Sequence, residues 1–269
     1  MRWIPVTPGE DLFLLVRDHI LPALSPSRTV WHQLRELLSY AGGSDWFDDY
    51  IRGAVSIHVL RRLLRHWGDE SEQTNDLLQE KMISRFITQE VFPGLGSALV
   101  TRLARLTVRA GRTSYQSISQ ALCKRVLGGA TDIRCYLCAK PLDPVVPDGH
   151  ESFLSLDHIW PSSLGGESVE ENLIPACRVC QNDKADSPSW EWLNVHNLVW
   201  PRTPSDDARQ RVTRVARIAR HYLHVTAQCS TSRMTLKAGF LAVGPITLPV
   251  SFLTTGLPAT FFTLGTLEG

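Results

Sequence analysis

Apolar side chains recur at three- and four-residue spacing through most of residues 1–128, which predicts a series of amphipathic helices rather than strands. Thr7-Pro8-Gly9-Glu10 reads as a capping box with proline at the first helical position, opening a helix through Asp18 or Leu21. Ser25-Pro26 starts a second, which carries Trp31, Leu34, Leu37 and Leu38 and is closed by Gly42-Gly43. Ser44 caps a third, with Trp46, Tyr50, Val55, Val59 and Leu63 expected along one side. Further helices fit residues 73–91, 96–110 and 115–127, the last closed by Gly128-Gly129. The Leu and Val stripes of these helices are the expected core of an all-α unit over residues 1–130.

Beyond residue 130 the pattern changes. Pro141 to Gly149 is a proline-rich loop, Phe153 to Ile159 is a short β-like run, and Ser187-Pro188 signals a short helix over 190–198. Pro201-Arg202-Thr203-Pro204 reads as a linker. Ser205, Asp206 and Asp207 then cap a helix in which Arg209, Arg211, Arg214, Arg217 and Arg220 share the chain with Val212, Val215, Ile218 and Tyr222. Ala238 to Leu267 carries no charge, but Pro245, Pro249 and Pro258 and four glycines disfavour a membrane helix, so a β-hairpin or a docked extension is expected. The predicted class is α+β, in three units: helices over 1–130, a small domain over 131–200, and a basic helix with an apolar tail over 201–269.

The charge balance, 28 Lys and Arg against 27 Asp and Glu, averages blocks of opposite sign. By segment the net charge is 4 − 7 = −3 for residues 1–50, 13 − 7 = +6 for 51–134, 3 − 10 = −7 for 135–200 and 8 − 3 = +5 for 201–269. An acidic centre between basic flanks suits a nucleic-acid partner, since phosphate contact depends on local charge. Every charged residue from Arg102 to Arg125 is positive, and Arg102, Arg105 and Arg109 share one helical face. With Arg211, Arg214 and Arg217 they are the candidate backbone contacts; a solvated face is the alternative. The opening MRWIPVTPGED lacks a signal-peptide pattern, so the expected setting is a reducing cytoplasm.

In that setting the pairs Cys135/Cys138 and Cys177/Cys180 read as metal ligands, because two Cys-x-x-Cys knuckles supply the four thiolates of a tetrahedral structural zinc. The 38 residues between the knuckles leave room for a functional insert. Its order is Leu156-Asp157-His158-Ile159-x-Pro161, then Gly165-Gly166, then Asn172-Leu173, then Pro175-x-Cys177-x-x-Cys180 and Lys184. Chemically, Asp157 offers a hard oxygen ligand for Mg²⁺ or Mn²⁺, and His158 can accept a proton from water near neutral pH. On an extended strand the two would face opposite ways, so a bend is needed to bring them to one centre.

This order resembles the HNH endonucleases, the ββα-metal nucleases of the zinc-stapled type. The resemblance covers Cys135 to Lys184. It implies a metal-dependent phosphodiester hydrolase with His158 as general base and Asp157 as metal ligand. It also implies that Asn172 fixes the loop containing Gly165-Gly166. Lys184 completes the resemblance and is a candidate phosphate contact, Arg178 is a second, and a solvent-facing helix position is the alternative for both. Members of this type place Asn or His directly after the last cysteine, whereas this chain has Gln181 there and Asn182 next. Either amide oxygen is a candidate second ligand; helix capping, or a decayed site in a zinc-stapled binding module, is the alternative. DNA is the expected substrate and RNA the alternative, with bacterial restriction or anti-phage defence as the analogous setting. A protein partner or a second copy would use the N-terminal helices or the tail, and a membrane is disfavoured.

Overall fold

The computed structural model describes residues 3–23, 44–69, 75–147, 150, 152–186 and 206–246. The helix expected from Ser25, the one expected after Ser187, the linker at 201–204 and the tail beyond residue 246 lie outside these residues.

Helix α1 (Pro8–Leu15) begins at the capping box: Thr7 Oγ1 accepts the Glu10 amide at 3.3 Å while Glu10 Oε2 accepts the Thr7 amide at 2.9 Å. Glu10 is buried and also accepts from Trp3 Nε1 and from the Val6 amide, each at 3.0 Å, so it ties the N-terminal segment to the helix. Burial raises its carboxyl to about 7, against the opposing pull of these donors. The helix continues through a π turn at Val16–Ile20 into Leu21–Ala23.

Helix α2 (Ser44–Asp69) buries Ile57, Leu60, Leu63 and Leu64. Val55, expected on the buried side, is 39% exposed instead: it precedes Ile57 by two residues and so lies on nearly the opposite side of the helix. Helix α3 (Asp76–Phe86) is capped by Asn75 and ends in a π turn at Ile87–Val91. Helix α4 (Ser97–Thr113) is the hub against which α1, α2 and α3 pack. Helix α5 (Gln120–Leu127) runs from a Ser119 cap to Gly128, whose φ of 57° is the left-handed stop that glycine supplies most readily.

Strands β1 (Leu154–His158) and β2 (Leu173–Cys177) pair antiparallel, with Leu156 opposite Pro175 and His158 opposite Leu173. The run LIPAC neither alternates nor avoids proline, so its pattern does not announce a strand. Both strands of a two-stranded sheet are edges, which is where a residue without an N–H can sit. Helix α6 (Arg178–Lys184) follows at once.

Helices α7 (Asp206–Ser232) and α8 (Leu236–Val243) complete the described chain. The hairpin or extension expected from Ala238 is corrected over Ala238–Val243. Thr235 Oγ1 accepts the Ala238 amide at 3.2 Å and starts a helix, whose buried Phe240 meets Tyr136 and Tyr222 edge-on at 5.1 and 5.3 Å. That aromatic burial favours helix over strand because it puts one face of a short apolar segment into a preformed pocket. Among the described residues no helix is long and apolar enough to cross a membrane.

One apolar core runs through all three sequence segments. Trp160 of the central segment touches Trp3 and Phe13 of the first, at ring separations of 6.4 and 5.1 Å, and Tyr222 Oη of the last donates to the Ile159 carbonyl at 3.0 Å. At the closest point the Gly9 amide donates to the Gly165 carbonyl at 3.0 Å. A Cβ on Gly9 would lie 2.0 Å from the Leu164 carbonyl oxygen and 2.6 Å from Trp160 Nε1. Gly9→Ala is therefore expected to separate α1 from the central loop and destabilise the chain by about 1–3 kcal/mol, read as a lower urea midpoint. An unchanged midpoint would contradict this packing.

Candidate active site

The four cysteine Sγ atoms lie within 4.8 Å of one another, and Cys138 and Cys177 approach to 3.8 Å. Thiolates about 2.3 Å from a central zinc stand about 3.8 Å apart at the corners of a tetrahedron, so this pair already has the required edge. All four are free of disulfides. The four thiols share hydrogen bonds with one another, which lower Cys135 and Cys177 and raise Cys138 and Cys180, so they titrate as one cluster. Cys177 also caps α6, its sulfur accepting the Cys180 amide at 3.5 Å. Gln181 and Asn182 are consequently not capping residues: they lie in the second turn of α6, and both reach the wall of a cleft of about 580 Å³.

Asp157 and His158 line the same cleft, together with Pro161, Ser162, Lys184, Ala185 and Asp186. Asp157 is only 4% exposed; its Oδ2 accepts from Tyr136 Oη at 2.7 Å. Lys184 Nζ straddles the carboxylate, 3.1 Å from Oδ2 and 3.3 Å from Oδ1, and donates to the His158 carbonyl at 2.7 Å. Lys184, expected at a phosphate, is 2% exposed; its ammonium is spent on β1, because a buried cation needs a buried anion and acceptors. Gln181 Nε2 donates to the Leu156 carbonyl at 3.4 Å, which among the described residues leaves its Oε1 without a donor. Asp157 with a free amide oxygen is a hard-oxygen donor set, which fits Mg²⁺ or Mn²⁺.

His158 ends β1 with its ring turned to the loop that follows. Its Nε2 is 2.9 Å from Ser168 Oγ, and Ser168 Oγ donates to the Gln116 carbonyl at 2.8 Å. A serine hydroxyl has one hydrogen, and here it is committed to Gln116. Ser168 must accept from His158, so Nε2 carries the proton and Nδ1 presents the lone pair. Burial holds the imidazole below its ordinary pKa, opposed by Asp157 and reinforced by Lys184, so it stays neutral and able to accept a proton.

Asn172 closes the loop between the strands. Its Nδ2 donates to the Trp160 and Glu167 carbonyls at 3.1 and 3.0 Å, and its Oδ1 accepts the Trp160 amide at 2.8 Å. The turn inside that loop needs Gly165, at φ 79°, and Gly166, where a Cβ would lie 2.0 Å from the Trp160 carbonyl oxygen.

The candidate basic contacts divide. Arg102, Arg105, Arg109 and Arg178 are exposed, with Arg105 facing Glu80 at 3.7 Å. Arg214 is exposed as well but pairs with buried Asp183, Nε to Oδ2 at 2.6 Å, and Arg217 is half-buried. Arg211 lies on α7, but its side chain is outside the described residues. Tyr136 and Ser168 were not legible from sequence. The one had only its place between two cysteines as a signal, and the other had none.

Two antiparallel strands and a helix, with four cysteine thiols drawn together beside an Asp-His pair, make a ββα unit with a four-cysteine cluster suited to a structural zinc. Residues 135–187, about a fifth of the chain, match the HNH endonuclease family, and this segment is an HNH domain. No curated protein and no solved structure is significantly similar to the chain.

Proposed function

We propose that the chain is a metal-dependent endonuclease that hydrolyses phosphodiester bonds, most naturally in DNA. The observation that carries this is the Gln116–Ser168–His158 relay, which leaves the Nδ1 lone pair free on a histidine that lines one cleft with Asp157, Gln181 and Asn182. Asp157, with the amide oxygen of Gln181 or Asn182, would hold the divalent ion. When bound, that ion neutralises charge on the phosphate and the leaving oxygen. His158 Nδ1 takes a proton from water as the water oxygen bonds to phosphorus and the phosphorus–oxygen ester bond breaks. Structural zinc at the four cysteines, exposed Arg102, Arg105, Arg109 and Arg178 as backbone contacts, and a setting in bacterial restriction or anti-phage defence belong to the same reading.

The test is incubation of the purified chain with supercoiled plasmid and Mg²⁺ or Mn²⁺, beside a labelled RNA. Nicked and linear plasmid are expected, and EDTA should stop their appearance. A second reading, a non-catalytic zinc-stapled binding module, is favoured by one observation: Lys184 already covers the Asp157 carboxylate. Absence of cleavage with every divalent ion would select it.

Ser168→Ala separates positioning from folding. With the acceptor gone, Nε2–H loses its partner and the ring its orientation, so cleavage should slow by about 10- to 100-fold, in line with outer-shell partners elsewhere. The thermal midpoint should move little, since Ser168 lies on a partly exposed loop. Single-turnover rates beside melting curves read the two effects apart.

A further inference from the structure

The two groups that hold Asp157 ride on the two halves of the thiolate centre. Tyr136 sits between Cys135 and Cys138 in the first knuckle. Its amide donates to the Pro175 carbonyl at 3.0 Å, its ring packs on Phe240, and its hydroxyl meets Asp157 Oδ2 at 2.7 Å. Lys184 ends α6, whose cap and first turn are the second knuckle, Cys177 to Cys180, and its ammonium bridges both Asp157 oxygens.

We infer that the four-thiolate centre is the positioning device for Asp157: by clamping the two knuckles it sets Tyr136 Oη and Lys184 Nζ on the carboxylate and fixes the direction in which Asp157 meets a divalent ion. Tyr136 is thus a positioning residue, acting through Asp157 and touching no substrate. This rests on the assignment of Asp157 as metal ligand. It makes occupancy of the thiolate centre and affinity at Asp157 one coupled quantity, although the two sites share no ligand.

The experiment measures Mn²⁺ binding to the zinc-loaded full chain by the spin-resonance signal of free Mn²⁺, for wild type, Asp157→Asn and Tyr136→Phe. Tyr136→Phe keeps the ring against Phe240 and loses only the hydroxyl. It should retain the wild-type zinc content and melting temperature while binding Mn²⁺ about tenfold more weakly, the scale of lost outer-shell partners. Wild-type affinity in Tyr136→Phe, with binding lost in Asp157→Asn, overturns the inference and leaves the endonuclease reading standing. No saturable binding in wild type, or undiminished binding in Asp157→Asn, overturns both. A second measurement needs no change to Tyr136: by reciprocity, saturating Mn²⁺ should tighten zinc binding, read at equilibrium against a competing chromogenic chelator, in wild type and not in Asp157→Asn. A zinc affinity indifferent to Mn²⁺ in wild type would also overturn the inference.

Discussion

Replacing His158 with alanine is expected to lower the plasmid-cleavage rate by about 10²- to 10⁴-fold, the range a positioned general base contributes. The loss should fall on the chemical step, so single-turnover rates at saturating Mn²⁺ are the measurement. Folding should be nearly intact. The imidazole is half-buried at the end of β1, and its described side-chain contact is one hydrogen bond to a loop serine. Its backbone carbonyl, which Lys184 uses, survives the substitution. Cleavage that persists in His158→Ala at the wild-type rate would remove His158 from the mechanism, and with it the functional meaning of the Ser168 relay.

Loss of the thiolate centre is expected to unfold the central segment. Zinc binding to four cysteines in small domains is worth on the order of 10 kcal/mol, comparable to the whole stability of a typical domain. Here the sheet it clamps has only two strands of five residues each. A sheet of that size does not hold by itself in water. Cys177→Ser should be the most severe single change, because Cys177 is at once a ligand, the end of β2 and the cap of α6. The expected result is about one zinc per chain in wild type, none in the variant, and a large drop in melting temperature. Full zinc content and an unchanged melt in Cys177→Ser would exclude the tetrathiolate assignment.

These two changes differ because they act on different links. His158→Ala removes a proton acceptor from a standing scaffold, whereas Cys177→Ser removes the scaffold. Tyr136→Phe lies between them, since it keeps the scaffold and alters only the hold on one carboxylate. Gly9→Ala acts from outside the central segment altogether. The Gly9 amide and Thr113 Oγ1, which donates at 3.3 Å, converge on the same Gly165 carbonyl, and the Gln116 carbonyl receives Ser168. The first helix and the end of α4 therefore brace the loop that aims His158.

Much of the architecture was readable from local signals. The Thr7–Glu10 box and the Gly128 stop each depend on a few adjacent residues, so those helix ends could be placed without knowing what they pack on, whereas the helix expected from residue 115 starts only at Gln120, after its Ser119 cap. The Cys-x-x-Cys pairs and the Asp157-His158 dipeptide were equally local. Strand β2 escaped because a proline-containing five-residue run has no period to detect. Helix α8 escaped because an uncharged segment rich in proline further on looks extended until Phe240 is seen against Tyr136 and Tyr222.

The sequence by itself determined which groups are available: four thiols at knuckle spacing, an Asp-His pair, a glycine turn, a loop-closing asparagine, and amides where a second ligand is wanted. Only the tertiary structure decided their roles. It spent Lys184 on Asp157 rather than on solvent, and drew Arg214 to Asp183. It brought the Gln116 carbonyl to Ser168 and so set which nitrogen of His158 keeps its lone pair. Residue type and spacing settle what a side chain can bond to, but burial and the one available partner settle what it does bond to. Those are properties of segments far apart in the chain that meet only in the folded molecule.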